Sequence, residues 1–165
     1  MYKQYIEEHK DFPIEGINYL DLNPIYKDGN LLKTITKDCI GLIKDFDFDY
    51  IGLVESRGFI LGSIIAHELG KGVILLRSKR NRLPGKTHTI AHTLEYGESV
   101  VEVQEGEGKV LVFDDVLATG GTVNCVSSLL QDQGKEIHGL ITVVELSKLK
   151  GRSRLNFPVE SMISL

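Results

Sequence analysis

Two adjacent carboxylates, Asp114 and Asp115, stand just ahead of a turn of small residues, Ala118-Thr119-Gly120-Gly121-Thr122. These residue types in this order suit a phosphorylated sugar. Amides at a helix N-terminus lack intrahelical partners and lie at the positive end of the helix dipole, so they attract an anion. Gly120 and Gly121 admit positive φ and carry no side chain to hold a ligand off the backbone. The hydroxyls of Thr119 and Thr122 can donate to phosphate oxygens or cap the helix. The acids in turn offer oxygens to ribose hydroxyls or to Mg²⁺. A strand-turn-helix whose acids merely cap the helix is the plainer alternative. Adjacent carboxylates repel each other and are costly to bury without a partner, which favours the ligand. No Lys follows the glycines and no G-x-G-x-x-G is present, so neither of the commoner phosphate loops applies.

Two further clusters could join this chemistry. Arg57 follows the apolar run Tyr50 to Val54 in Glu55-Ser56-Arg57-Gly58. The run Arg77 to Lys86 carries Arg77, Lys79, Arg80, Arg82 and Lys86, five of the chain's 19 Lys and Arg residues. In a chain of net charge −4 this is the sharpest charge asymmetry, and Pro84-Gly85 articulates it. A basic flap that gathers an anion such as pyrophosphate is favoured over a solvated loop. Glu95 reads either as a general base or as an ordinary loop acid. His88 and His92 lie in a segment that reads as strand and lack an acidic partner motif, so a zinc site is rejected.

The elements that must position these groups read as an α/β fold. Tyr50–Val54, Gly72–Leu76, Val110–Phe113 and Leu140–Val144 are continuous apolar runs, the mark of a parallel sheet covered on both faces. Helical patterns run over 31–46, 59–69 and 123–133, the last stopped by Gly134. The acid pair is read as following the end of its strand. Ligands of such sheets sit beyond the carboxyl ends of the strands, where Arg57, the basic run and the acid pair all fall. Residues 2–10 read as a short polar helix, 87–103 as a two-stranded excursion, 147–152 as a short basic helix and 159–165 as an edge strand. Residues 11–24 are rich in Pro, Gly and Asn yet carry Phe12, Ile14, Ile17, Tyr19 and Leu22, so they must lean on the body of the domain or on a flat ligand.

Composition sets the remaining bounds. At 165 residues, 42% hydrophobic and 25% charged, the chain reads as one globular domain, 1–165. The acidic balance argues against nucleic acid, and no apolar run reaches the length of a membrane span. Cys39 and Cys125 form no C-x-x-C and read as buried free thiols of a reducing compartment. No signal peptide is recognisable, and the protein is expected to be cytoplasmic.

The stretch Val110 to Thr122 resembles the 5-phosphoribosyl 1-diphosphate (PRPP) motif of type I phosphoribosyltransferases. Asp11-Phe12-Pro13 with Gly16-Ile17, Ser56-Arg57-Gly58-Phe59, Leu83-Pro84-Gly85, Leu94-Glu95-Tyr96-Gly97, and Val144-Glu145-Leu146 through Leu149-Lys150-Gly151-Arg152 resemble the adenine branch of that family. The resemblance covers about residues 11 to 155. It implies a parallel sheet flanked by helices, a hood at about 11–25 and a flap at about 78–103. The implied reaction is adenine + PRPP → AMP + pyrophosphate with Mg²⁺, carried mainly by PRPP with no certain protein ligand, in a homodimer. By position, Asp114 and Asp115 would hold the ribose hydroxyls and Ala118 to Thr122 the 5′-phosphate. Arg57 with Arg77, Lys79, Arg80 and Arg82 would grip pyrophosphate. Glu95 would face the purine and manage its proton, and Tyr96 would shape the closed flap. Ile17, Asn18, Tyr19 and Leu20 would cover the adenine, largely through main-chain groups. Leu20 stands where the family commonly has a basic residue, and Arg77 is displaced by one from its first arginine. Rival readings are a hypoxanthine, guanine or xanthine phosphoribosyltransferase, for which no clear purine-edge Lys stands near Val144-Glu145, and a non-catalytic PRPP-sensing regulator.

Overall fold

The computed structural model describes residues 2–94 and 97–165. Its centre is a five-stranded sheet built from β3 (Tyr50–Val54), β4 (Gly72–Leu76), β7 (Gly108–Leu117), β8 (Lys135–Glu145) and β9 (Val159–Ser164), in the order β4-β3-β7-β8-β9. Every neighbouring pair is parallel. Both faces are covered, which is why the strands read as unbroken apolar runs. Ile51, Leu53, Leu111 and Phe113 pack on one face with Ile35 and Cys39 of α2 (Gly29–Leu42) and Leu61 and Ile65 of α3 (Gly58–Glu68). Val110 and Val112 point the other way, to Val126, Leu129 and Leu130 of α4 (Gly121–Gln131).

That second face also receives a ribbon. β5 (Thr87–Leu94) and β6 (Gly97–Gln104) pair antiparallel, as expected for 87–103. Val101 and Val103 of β6 are buried in the α4-side cluster, so the root of the ribbon is part of the core.

Several expectations need correction. Residues 2–10 are not a helix: a 3-10 turn, Tyr2–Tyr5, is followed by β1 (Glu7–Lys10), which pairs antiparallel with β2 (Asn18–Asp21). All four residues of β1 are exposed, so no apolar period announces the strand, and its backbone pairing with β2 decides. Tyr2 is buried, its hydroxyl donating to Asp38 Oδ2 at 2.6 Å. β7 does not end at Phe113. It continues through the acid pair to Leu117 because β8 still offers partners, Val144 to Val116 and Glu145 to Leu117. The expected short helix at 147–152 is two 3-10 turns, Ser147–Leu149 and Gly151–Arg154.

After β2, the five-residue α1 (Asn23–Lys27) leads to Asp28, whose carboxylate caps α2 by accepting the amides of Asn30 and Leu31. The hood segment leans on the body through Leu20, Leu22 and Ile25, all buried, while Phe12 and Ile14 face outward. Among the described residues no helix is long and apolar enough to cross a membrane.

Cys39 is buried as expected, whereas Cys125 is only partly buried. Burial pushes the Cys39 thiol up to about 12. A thiol held this far above pH 8 is almost entirely protonated and a poor nucleophile. Titration with a disulfide reagent at pH 8 is therefore expected to modify Cys125 in the native chain and Cys39 only after denaturant is added.

Candidate active site

The sheet order reverses between β3 and β7, since the chain leaves β3 for β4 on one side and returns to β7 on the other. A crevice opens at such a switch point beyond the carboxyl ends of the two strands. Here it is a cleft of about 410 Å³ lined by Tyr19, Val54, Glu55, Ser56, Arg57, Asp114, Asp115, Val116 and Thr122. A smaller polar hollow, about 70 Å³, continues from it along Asp114 and residues 116–123. Two of the three clusters singled out in the sequence thus share one cleft, and the third begins at its wall.

Arg57 is the hub. Its Nε lies 2.7 Å from Asp115 Oδ2, its Nη1 donates to the carbonyl of Leu20 at 2.8 Å, and its guanidinium sits 4.8 Å from the centre of the Tyr19 ring. Tyr19 in turn meets Phe12 edge-on, with ring centroids 5.2 Å apart. Burial works against the Arg57 charge, but the Asp115 carboxylate together with the Tyr19 and Tyr26 hydroxyls outweighs it and holds the guanidinium above its ordinary value.

The acid pair is under electrostatic load. Asp115 is 3% exposed. Burial raises the Asp114 carboxyl well above its ordinary value, and the neighbouring Asp115 charge adds to this. Burial also raises Asp115, with Arg57 opposing. Asp114 Oδ1 accepts the amide of Asp115 at 2.9 Å. Asp115 Oδ2 is buried and held in the ion pair with Arg57, without a well-aligned hydrogen bond.

In the turn, Gly120 is left-handed at φ +78, and α4 starts at Gly121 with no side-chain cap. Thr119 and Thr122 are therefore not consumed by capping. Positive φ is confined to Gly120; Gly121 is helical. A Cβ on Gly120 would meet the carbonyl oxygen of Gly151 at 2.8 Å, so this glycine is also required for close packing against the 147–154 segment. That packing is legible only in three dimensions.

The other expected site residues fall into three groups. Ile17, Asn18 and Tyr19 line the hood at and beside β2, with Asn18 Nδ2 donating to Glu8 Oε2. The Leu20 side chain is buried in the core and its carbonyl is engaged by Arg57. Arg77 is held by Glu55, with nitrogen–oxygen distances of 3.1 Å to both carboxylate oxygens. Lys79, Arg80 and Arg82 are exposed, and among the described residues no carboxylate pairs with them. Glu95 and Tyr96 lie outside the described residues. Glu55, which lines the cleft and also accepts the amide of Ser78 at 2.6 Å, was missed by the sequence reading, because a lone acid before Arg57 carries no motif of its own.

A sequence model of the phosphoribosyl transferase domain matches residues 26–165. A relative from Desulforamulus reducens named adenine phosphoribosyltransferase is 44% identical over 161 residues, covering 94% of this chain and 93% of its own length. The chain belongs to the adenine phosphoribosyltransferase family. The fold agrees. The crystal structure of the family member from Thermoanaerobacter pseudethanolicus superposes with a TM-score of 0.92 at 32% identity, covering 99% of this chain and 97% of that one. The Saccharomyces cerevisiae member, solved with adenine and an imino-altritol bisphosphate, gives 0.87 at 31% identity over 97% and 95% of the two chains. The five-stranded parallel sheet flanked by helices is the type I phosphoribosyltransferase fold.

Proposed function

We propose that this chain transfers the 5-phosphoribosyl group of PRPP to adenine, releasing AMP and pyrophosphate. The observation that carries the reading is the acid pair, Asp115 buried and Asp114 half-buried, with Arg57 at the switch point, opening onto a free helix start, in a chain 44% identical to a named adenine phosphoribosyltransferase. Residues 118–122 would seat the 5′-phosphate on the α4 amides. Asp114 and Asp115 would take the ribose hydroxyls, whose donors would relieve the load on the pair. As pyrophosphate departs, C1′ becomes cation-like, and fixed negative oxygens beneath the ribose stabilise that charge. Arg57, with Lys79, Arg80 and Arg82 and the Glu55-bound Arg77 behind them, would gather the leaving diphosphate.

Mg²⁺ would enter mainly on the diphosphate. The oxygen-only donors of the pair suit a hard cation, with the half-buried Asp114 facing the cleft while Asp115 Oδ2 is held by Arg57. When bound, the ion neutralises leaving-group charge. Tyr19, already over Arg57 and against Phe12, would face the base from the hood, with main-chain groups of Ile17 and Asn18 at its edge. Glu95 would manage the purine proton, with Tyr96 shaping the closed flap. We further infer a cytoplasmic homodimer, supported by the family resemblance.

The test is incubation with PRPP, Mg²⁺ and each of adenine, hypoxanthine, guanine and xanthine, reading nucleotide and pyrophosphate. AMP formation with adenine alone is expected. Turnover of a 6-oxopurine instead, or of no base, would refute the reading.

A further inference from the structure

The basic stretch after β4 is polar and rich in long side chains, and such a segment left to itself would be disordered on the surface. It is instead mounted at several points. Glu55, from the cleft wall, holds Arg77 and the amide of Ser78. Four residues on, a second carboxylate takes over. Glu102 of β6 is 2% exposed, and its Oε1 accepts the amide of Asn81 at 3.1 Å while its Oε2 accepts those of Arg82 at 2.7 Å and Leu83 at 3.2 Å. Asn81 adopts φ +58, a left-handed conformation that Asn tolerates better than most residues and that turns successive amides inward.

Glu102 is itself rigidly placed. Its flanking residues Val101 and Val103 are buried in the core, and its backbone exchanges two 2.9 Å hydrogen bonds with Arg77. Beyond the three amides the loop stays fastened to the same strand, with Gln104 Nε2 donating to the Pro84 carbonyl at 3.0 Å and Glu105 N to the Lys86 carbonyl at 3.0 Å. A carboxylate this deep is expensive to ionise unless hydrogen-bonded. Burial would raise Glu102, yet the amides of Arg82 and Asn81, with Thr87 and Leu83, hold it below its ordinary value, so the charge persists.

We propose that Glu102 is a positioning residue for the diphosphate end of PRPP: by gripping three consecutive amides it fixes the loop that carries Lys79, Arg80 and Arg82, whose first residues are tied to the cleft wall through Glu55. The inference rests on the function proposed above. Cations on a pre-set loop bind a diphosphate without the cost of ordering the loop at that moment. Glu102 lines neither the cleft nor the phosphate hollow, so its loss should separate the two ends of the ligand. Diphosphate affinity should fall while the AMP end is untouched.

In Glu102→Gln one acceptor oxygen survives and an NH₂ group faces the remaining amides. Steady-state kinetics are expected to show KM for PRPP and the inhibition constant of pyrophosphate raised about tenfold, equivalent to the loss of one net hydrogen bond to a charged group. The dissociation constant of AMP should stay within about twofold of the parent value, the scatter expected of an uncoupled site. Hydrogen exchange in the full chain should show amides 81–83 losing protection. Where Glu102→Gln fails to fold, Glu102→Asp, which keeps the charge but cannot reach all three amides, carries the same measurements. Unchanged PRPP and pyrophosphate affinities, or an AMP affinity that falls in parallel, would overturn the inference alone. A parent chain that makes no AMP would overturn it together with the proposed function.

Discussion

Asp114→Asn is expected to cut kcat/KM about a hundredfold or more, the scale of losing one preorganised electrostatic contact at a reacting centre, and at the same time to raise the melting temperature at pH 8. The two effects share a cause. Asp114 and Asp115 are adjacent and poorly hydrated, and both carboxyls are held above their ordinary values in the folded chain. A carboxyl raised on folding favours the native state while it is protonated in both states, below the unfolded value near 4. That contribution is lost as pH rises through the folded value, because ionisation is then harder in the native state than in the unfolded one. At pH 8 the pair therefore carries a standing cost. Asn removes one charge, can still accept the amide of Asp115 through its Oδ1, and offers an NH₂ to the remaining carboxylate.

Each kcal/mol recovered is worth about 2–4 °C in a chain of this size. Scanning calorimetry should show the gain at pH 8 and show it shrinking as the pH falls towards 4. Asp115→Asn is the contrasting case. It would leave Arg57 without its carboxylate 2.7 Å away, so it should lose activity without gaining stability. A gain in Asp114→Asn that does not depend on pH, or no gain at pH 8, would show that the pair is not electrostatically loaded.

The groups under this load were legible in the sequence because their neighbours along the chain define them. Asp114, Asp115 and residues 118–122 form one local run, and Arg57 stands directly after a buried strand. The sheet was legible for a related reason: strands buried on both faces must be apolar throughout, and Ile51, Leu53, Leu111 and Phe113 show it. What escaped depended on partners distant in the chain. The strand Glu7–Lys10 exists because Asn18–Asp21 pairs with it, and nothing in four exposed polar residues says so. β7 runs on past the acids because β8 is long enough to receive it. Glu55 and Glu102 look like ordinary acids until the amides of residues 78 and 81–83 are placed against them, some twenty positions away. The same holds for Gly151, which has a motif but whose contact lies on another element.

Gly151→Ala should damage PRPP binding although Gly151, buried behind the phosphate turn, does not line the cleft. A Cβ there would stand 2.2 Å from the carbonyl oxygen of Ala118 and 3.0 Å from the amide of Gly120, and both are backbone atoms that cannot swing aside. One of the two segments must move. Gly151 is followed by Arg152, whose Nε donates to both oxygens of Glu145 at 2.9 and 3.1 Å and whose Nη2 donates to Ser161 Oγ at 3.0 Å. Ser161 closes the network by donating to Glu145 Oε2 at 2.8 Å. That anchorage to β8 and β9 leaves the phosphate turn as the softer partner, so the amides at the start of α4 are displaced. Losing one charge-assisted contact of about 1.5–3 kcal/mol corresponds to a roughly ten- to hundredfold rise in KM for PRPP. Overpacking itself should cost about 1–3 kcal/mol of stability. Because the strain is directed by the Arg152 anchor, adding Arg152→Lys, which cannot keep the forked contact to Glu145, should let the 151 segment yield and recover part of the PRPP affinity. Isothermal titration of AMP and steady-state kinetics on the single and double variants read this directly. An undisturbed KM in Gly151→Ala, or a double variant whose losses simply add, would show that the turn is not braced from behind by Gly151.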